Sequence, residues 1–183
     1  MRVISGTAKG KKLNSLEGLE TRPTLDRVKE AVFNIIQFDI KDAVVLDLFS
    51  GSGALGIEAL SRGAKEAILC DVSSKAIKII NKNLEETRLK EKAKVFSNDY
   101  LETLNKIKDK KFDIIFLDPP YKSDYIEKSI EYISTHNLIT ENGIIIVETN
   151  DKNKIDEIKA KKDLEVYDTR KYGIAIIIFV RKE

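Results

Sequence analysis

One cysteine, Cys70, and one histidine, His136, are all that 183 residues offer of the side chains zinc most often needs. A lone cysteine excludes an internal disulfide and a cysteine cluster, and a single histidine beside it leaves zinc without a ligand set. No metal is expected. Long hydrophobic runs are missing as well. No apolar stretch approaches the roughly 20 residues that span a bilayer, and the N-terminal MRVISGTAKGKKL has no signal-peptide core. The chain is therefore expected to be soluble and cytoplasmic, with no membrane partner. Repeats, low-complexity tracts and linkers are absent, and the net charge of +2 is too small to mark a nucleic-acid binder by itself. What is present is a chain 42% hydrophobic, enough for one domain with a real core.

The distribution of charge says more than its total. Arg2, Lys9, Lys11 and Lys12 fall in the first 15 residues with no acid among them, and Arg22, Arg27 and Lys29 follow. Two readings stand side by side, a solvated basic face and a nucleic-acid patch. Residues 1–15 read as two short strands around a Gly6 to Gly10 turn, a candidate hairpin. Residues 25–37 carry apolar side chains at 25, 28, 32, 35 and 36, a helical spacing, with Thr24 as the N-cap.

Strand and helix patterns then alternate. Strands are predicted at 43–48, 67–71, 94–97, 113–118 and 143–148, with helices at 55–62, 74–87, 100–107, 125–135 and 155–161. Two last strands, 164–169 and 174–181, have only a short connection around Tyr172 and Gly173. Such alternation implies an α/β fold, a mainly parallel sheet with helices on both faces. The last pair should run antiparallel, with a change of direction at one sheet edge.

Two stretches carry chemistry. VVLDLFSGSGALG, residues 44–56, is a strand, a glycine turn and a helix start. Gly51 and Gly53 permit positive φ and close backbone approach, and Gly56 lets the helix pack tightly. The Gly-Lys-Ser/Thr of a phosphate-binding Walker loop is absent. Asp47 ends the strand, where its carboxylate would repel a pyrophosphate but welcome a ligand with a cationic amino-acid end, as in S-adenosylmethionine. The competing reading is an Asp that caps its own loop. Asp71 ends the second strand 18 positions after Gly53, the place for an acid receiving two ribose hydroxyls. Asp99, after the third strand, accepts from an adenine amino group or caps the following helix. Cys70 and His136 have no sequence partner that would make either a nucleophile or a base.

The second stretch is KKFDIIFLDPPY, residues 110–121, in which a continuous apolar strand stops at Asp118, Pro119, Pro120 and Tyr121. The prolines have no N–H for a ladder, so the sheet ends there, at the side where open α/β sheets bind ligands. An exocyclic amine on a base is a poor nucleophile because its lone pair is delocalised into the ring. Asp118 and the Pro119 carbonyl would accept its N–H groups and favour a more tetrahedral nitrogen, while Tyr121 offers a ring for the base to stack on. An ionised Asp only accepts, which matches the adjacent N1–H and N2–H donors of guanine. The bland alternative is a rigid turn.

Taken together, VLDLFSGSGALGIEALSRGA, FDIIFLDPPY and TRPTLDRVKEAVFNII resemble the RsmD family of bacterial methyltransferases. The similarity runs over essentially the whole chain, and TRPT with the basic hairpin before it is its more specific part. The resemblance implies a Rossmann-like class I S-adenosylmethionine-dependent methyltransferase, with a seven-stranded mostly parallel sheet and an N-terminal β-hairpin extension. Residues 1–37 would form the RNA-binding extension and 38–183 the methyltransferase core. The implied activity is methylation of guanine N2 in 16S ribosomal RNA, with S-adenosylhomocysteine as product. The implied partner is the small ribosomal subunit or an assembly intermediate, and not DNA. Asp47, Gly51, Gly53, Asp71 and Asp99 would hold the cofactor, with Phe49, Val72 and Asn98 beside them. Asp118, Pro119, Pro120 and Tyr121 would hold the target base. Arg22, Pro23 and Thr24 would border the site, and Lys9, Lys11, Lys12 and Arg27 would meet RNA. Glutamate is common in the family where this chain has Asp71. Two alternatives stand: a DNA methyltransferase acting on adenine N6 or another amino group, and a non-catalytic RNA-binding assembly factor.

Overall fold

The computed structural model describes residues 1–16, 23–121 and 124–183, with the side chains of residues 23–25 left aside. Among these residues seven strands form one sheet: β1 (Val44–Asp47), β2 (Glu66–Cys70), β3 (Ala93–Phe96), β4 (Phe112–Leu117), β5 (Ile139–Thr149), β6 (Leu164–Tyr172) and β7 (Ala175–Lys182). Six helices accompany them: α1 (Pro23–Ile35), α2 (Ala54–Ser61), α3 (Ser74–Thr87), α4 (Tyr100–Lys106), α5 (Tyr125–Thr135) and α6 (Asn153–Lys159). The strand order is β3-β2-β1-β4-β5-β7-β6.

Strands β1 to β5 pair in parallel, and β7 runs antiparallel to both β5 and β6. The change of direction expected at the edge therefore sits one strand in, with the last strand of the sequence inserted before its predecessor. The residues explain the choice. Positions 176–180 of β7 are a buried, unbroken apolar run that needs cover on both faces. Strand β6 carries Glu165, Asp168, Arg170 and Lys171, charges suited to an exposed edge.

Alternate side chains of the strands feed two core layers. Val45, Leu69, Ile114 and Phe116 pack with Val32, Phe33, Ile57 and Ile80 of α1, α2 and α3. Leu46, Ile68, Ile115 and Leu117 pack with Leu104, Ile130 and Ile158 of α4, α5 and α6. From β1 the chain builds outward through β2 to β3 and then crosses back to place β4 on the other side of β1, so the sheet's switch point lies between the carboxyl ends of β1 and β4.

The N-terminal hairpin is reduced to a single antiparallel bridge, Arg2 with Lys12. Around that bridge Val3 N donates to Lys11 O and Leu13 N to Met1 O, both at 2.9 Å, and Gly10 N donates to Val3 O at 2.8 Å. Donors between the two arms go to α2. Ile4 N and Ser5 N donate to the Glu58 carboxylate at 2.9 and 3.0 Å. Thr7 N donates to Ser61 O at 2.8 Å, and Ala8 N to Ser61 Oγ at 2.9 Å. The paired arms are thus also tied to α2, with Val3, Ala8 and Leu13 buried in the core. Helix α1 begins at Pro23, so Thr24 lies in its first turn and not at its cap. Proline suits that first turn, where no N–H is required.

Candidate active site

The loops after β1 and β4 close a cavity of 720 Å³ at the switch point. Its floor begins with the glycine loop. Gly51 and Gly53 both have positive φ, 54° and 79°, as their spacing predicts. A Cβ on Gly51 would meet nothing within 4 Å, so the backbone there is open. A Cβ on Gly56 would come within 3.0 Å of Leu69 and 3.4 Å of Asp47, which is the tight helix packing expected of it.

Asp47 is 1% exposed and lies beneath this loop, not on the cavity wall. Its Oδ2 accepts the Gly56 N–H at 3.0 Å, at the start of α2. The capping reading therefore holds for Asp47. Burial pushes its carboxyl up to about 7, against the lowering effect of the Gly56 and Ser50 hydrogen bonds.

Asp71 lines the cavity and braces its rim. Oδ2 accepts from Gly51 N and Oδ1 from Ser73 N, at 2.9 and 2.8 Å. Each oxygen keeps a lone pair for a further donor. Phe49, Gly51, Val72, Asn98 and Asp99 also line the cavity, whereas Gly53 sits behind it as the N-cap of α2. Asp99 caps α4 through Leu101 N at 2.9 Å, so the capping reading holds there. Phe49, Tyr100 and Tyr125 make an aromatic wall, with Phe49 stacked on Tyr125 at 5.9 Å and Tyr100 4.8 Å from Tyr125.

Asp118, Pro119, Pro120 and Tyr121 form the opposite side. Asp118 is exposed on the wall of this cavity, and the protein around it still penalises its charge. Burial, then Glu148, then Asp47 push its carboxyl well above the usual range. Tyr121 is 43% exposed, a ring presented at the rim.

Two lining residues escape sequence reasoning. Glu148 is the last residue but one of β5 and Asp118 directly follows β4, and only the pairing of Leu117 with Val147 makes them neighbours. The signal was available in kind: an acid directly after an apolar strand. Lys29 is the other, and here the basic-face reading is overturned. It is 3% exposed, paired with Glu58 at 3.1 Å, and so cannot serve a solvated patch. Burial lowers its amine despite that partner.

Lys9, Lys11, Lys12 and Arg27 are exposed and stand outside the cavity wall. The same N-terminal segment nevertheless reaches the site, because Met1, Ser15 and Leu16 line it. Arg22 lies outside the described residues, as do the side chains of Pro23 and Thr24. Cys70 is buried against Thr103 Oγ1 at 2.9 Å, and His136 stacks on Tyr132, away from the chemistry. Among the described residues no group of three or more His, Cys, Asp or Glu side chains could hold a metal, and no helix is long and apolar enough to cross a membrane.

The family model described as "Conserved hypothetical protein 95" matches residues 1–181. The Bacillus subtilis protein YlbH is 38% identical over 184 residues, covering 100% of this chain and 99% of that one. The "Ribosomal RNA small subunit methyltransferase D" of Haemophilus influenzae is 37% identical over 151 residues, 81% of this chain and 78% of its own. Among solved structures, the Escherichia coli protein yhhF superposes with a TM-score of 0.89 at 31% identity, over 100% of this chain and 98% of that one.

Proposed function

We infer the function from one premise: the chain belongs to the RsmD family, the ribosomal RNA small subunit methyltransferases D, and to the family described as conserved hypothetical protein 95. Its fold is the Rossmann-like class I methyltransferase fold. It is an enzyme that transfers a methyl group from S-adenosylmethionine to the exocyclic N2 of a guanine in small-subunit ribosomal RNA. The observation that carries this reading is the meeting of Asp71 and the open Gly51 backbone with Asp118, Pro119 and Tyr121 on one cavity.

The donor set suits the cofactor. Asp71 has lone pairs left for ribose hydroxyls, the wall of Phe49 and Tyr100 takes a flat apolar ring, and Asp99 and Asn98 border the place for its amino group. Asp47 lies beneath the loop, and a cationic amino-acid end bound above it would favour its ionised form. The volume falls within the range of small-molecule sites, about 300 to 1,000 Å³. When bound, the sulfonium supplies an electrophilic methyl group.

The chain's own residues then act on the acceptor. Asp118 and the Pro119 carbonyl accept N–H groups of the amine, which localises the nitrogen lone pair and orients it for in-line attack. Tyr121 holds the base by its face. The surplus proton passes to the Asp118 carboxylate, whose proton affinity burial and the Glu148 and Asp47 charges raise, and from there to water.

Residues 1–37 serve as the RNA-binding extension of a methyltransferase core formed by 38–183. Lys9, Lys11, Lys12 and Arg27 meet the phosphate backbone, and Arg22, Pro23 and Thr24 belong to the same RNA-binding segment. A structured RNA with an exposed guanine asks less of so small a chain than duplex DNA does, and such a substrate implies a cytoplasmic enzyme. The test uses purified protein, methyl-labelled S-adenosylmethionine and unmodified small subunits, with naked ribosomal RNA and DNA alongside. Products are digested to nucleosides. Label in N2-methylguanosine is expected. Label in N6-methyladenine from DNA would replace the substrate, and no label in any pool would favour a non-catalytic assembly factor.

A further inference from the structure

Glu148 has no role in the mechanism above, although it lies on the wall between two concavities. It lines the main cavity with Asp118, and with Pro119, Pro120 and Tyr121 it also lines an adjoining cleft of 340 Å³. The register that pairs Leu117 with Val147 places Asp118 and Glu148 on the next residues of adjacent parallel strands, where side chains share a face. Two carboxyl groups thus stand side by side where the base must present its edge. The Tyr121 hydroxyl donates to the Glu148 carboxylate, so the ring offered for stacking also fixes the second acid.

Guanine presents two adjacent donors on this edge, N2–H and N1–H. One acceptor is enough to orient the amine, but it leaves the ring nitrogen unread. Adenine and 2-aminopurine carry a bare N1 lone pair instead, which a carboxylate oxygen repels. We propose that Glu148 is the specificity-determining residue for guanine, accepting N1–H while Asp118 accepts N2–H. This rests on the guanine N2 reading and adds the residue that selects the base. Loss of a buried bond to a charged group costs roughly 10- to 100-fold in rate or affinity.

The acceptor guanine is first mapped from wild-type product. The same substrate is then made with guanine or with 2-aminopurine at that position, the latter keeping the amine and lacking N1–H. Wild type should prefer guanine. Glu148→Gln should lose roughly 10- to 100-fold in kcat/KM on guanine, where a neutral amide replaces the charged acceptor, and should gain on 2-aminopurine, because the glutamine amide can donate to the N1 that the carboxylate repelled. Glu148→Asp should retain the preference. The discrimination ratio is read within each enzyme, so a partly unfolded variant does not alter it. Equal losses on both bases, or an unchanged preference, would overturn the assignment and leave Glu148 as a support for Tyr121. No guanine methylation by the wild type would overturn the underlying reading as well, and is seen before any variant is made.

Discussion

Gly6 and Gly10 have nearly the same backbone, φ +84° and +85°, and opposite surroundings. A Cβ on Gly10 would meet nothing within 4 Å, whereas on Gly6 it would lie 1.8 Å from Ser61 O and 2.2 Å from its carbonyl carbon. Alanine at either site costs about 1–2 kcal/mol for the left-handed backbone. At Gly6 the obstacle is backbone, so the segment must lift from α2. Lifting breaks Thr7 N to Ser61 O at 2.8 Å, Ala8 N to Ser61 Oγ at 2.9 Å and Ser61 Oγ to Ser5 O at 2.6 Å. Three neutral bonds at about 1 kcal/mol each bring the total for Gly6→Ala to roughly 4–5 kcal/mol. Urea unfolding of the two variants measures the difference, and hydrogen exchange at Thr7 and Ala8 locates it. Gly6→Ala should also weaken RNA binding while S-adenosylhomocysteine binding changes less, since only the basic segment is displaced. If the two variants lost the same stability within about 1 kcal/mol, the close approach to Ser61 would not be what holds this segment.

Asp118→Asn should lower kcat by about 100-fold or more and leave S-adenosylhomocysteine affinity within a few-fold, as isothermal titration would show. In the wild type, Asp118 faces Glu148, Asp47 and Tyr121, and the first two acids together with burial raise its carboxyl. The acceptor form is therefore lost as pH falls through a value above the ordinary carboxylate range, and Glu148→Gln should move that acid limb of kcat/KM downward. Asp47 is a stability liability with a defined sign. Its carboxyl is raised from 3.8 to about 7 in the folded chain, so the stability this gives is full below the unfolded value and lost as pH rises through 7. Asp47→Asn keeps an acceptor for Gly56 N, and its gain in thermal stability over wild type should grow between pH 4 and 8, to at most ~4 kcal/mol. Glu58 is fully buried, bound by Lys29 and Arg62 and by two backbone amides. Glu58→Gln should cost roughly 3–5 kcal/mol by leaving Lys29 uncompensated, and the further change Lys29→Met should restore part of it.

The order of elements follows from local rules. The apolar run ending at Asp118, the glycines at 51 and 53, and the helical spacing over 125–135 each reflect neighbours within a few residues, and α3 and α5 begin and end where that spacing puts them. The glycine loop and the Asp-Pro-Pro-Tyr turn were legible for the same reason: short segments whose composition dictates their backbone. Long-range choices were not. Whether β7 pairs at the edge or inside depends on which strand can be covered on both faces, and that is decided by the assembled layers. Lys29 reads as one more exposed base until Glu58, 29 positions later, is brought against it from α2. Glu148 becomes part of the site only when parallel pairing sets β5 beside β4. Sequence alone thus determined which segments are strands and helices and which turns glycine and proline shape, because those depend on periodicity and backbone sterics. Tertiary structure alone decided which charges are buried, which acids are neighbours and where the N-terminal segment is tied, because each depends on groups that only folding brings together.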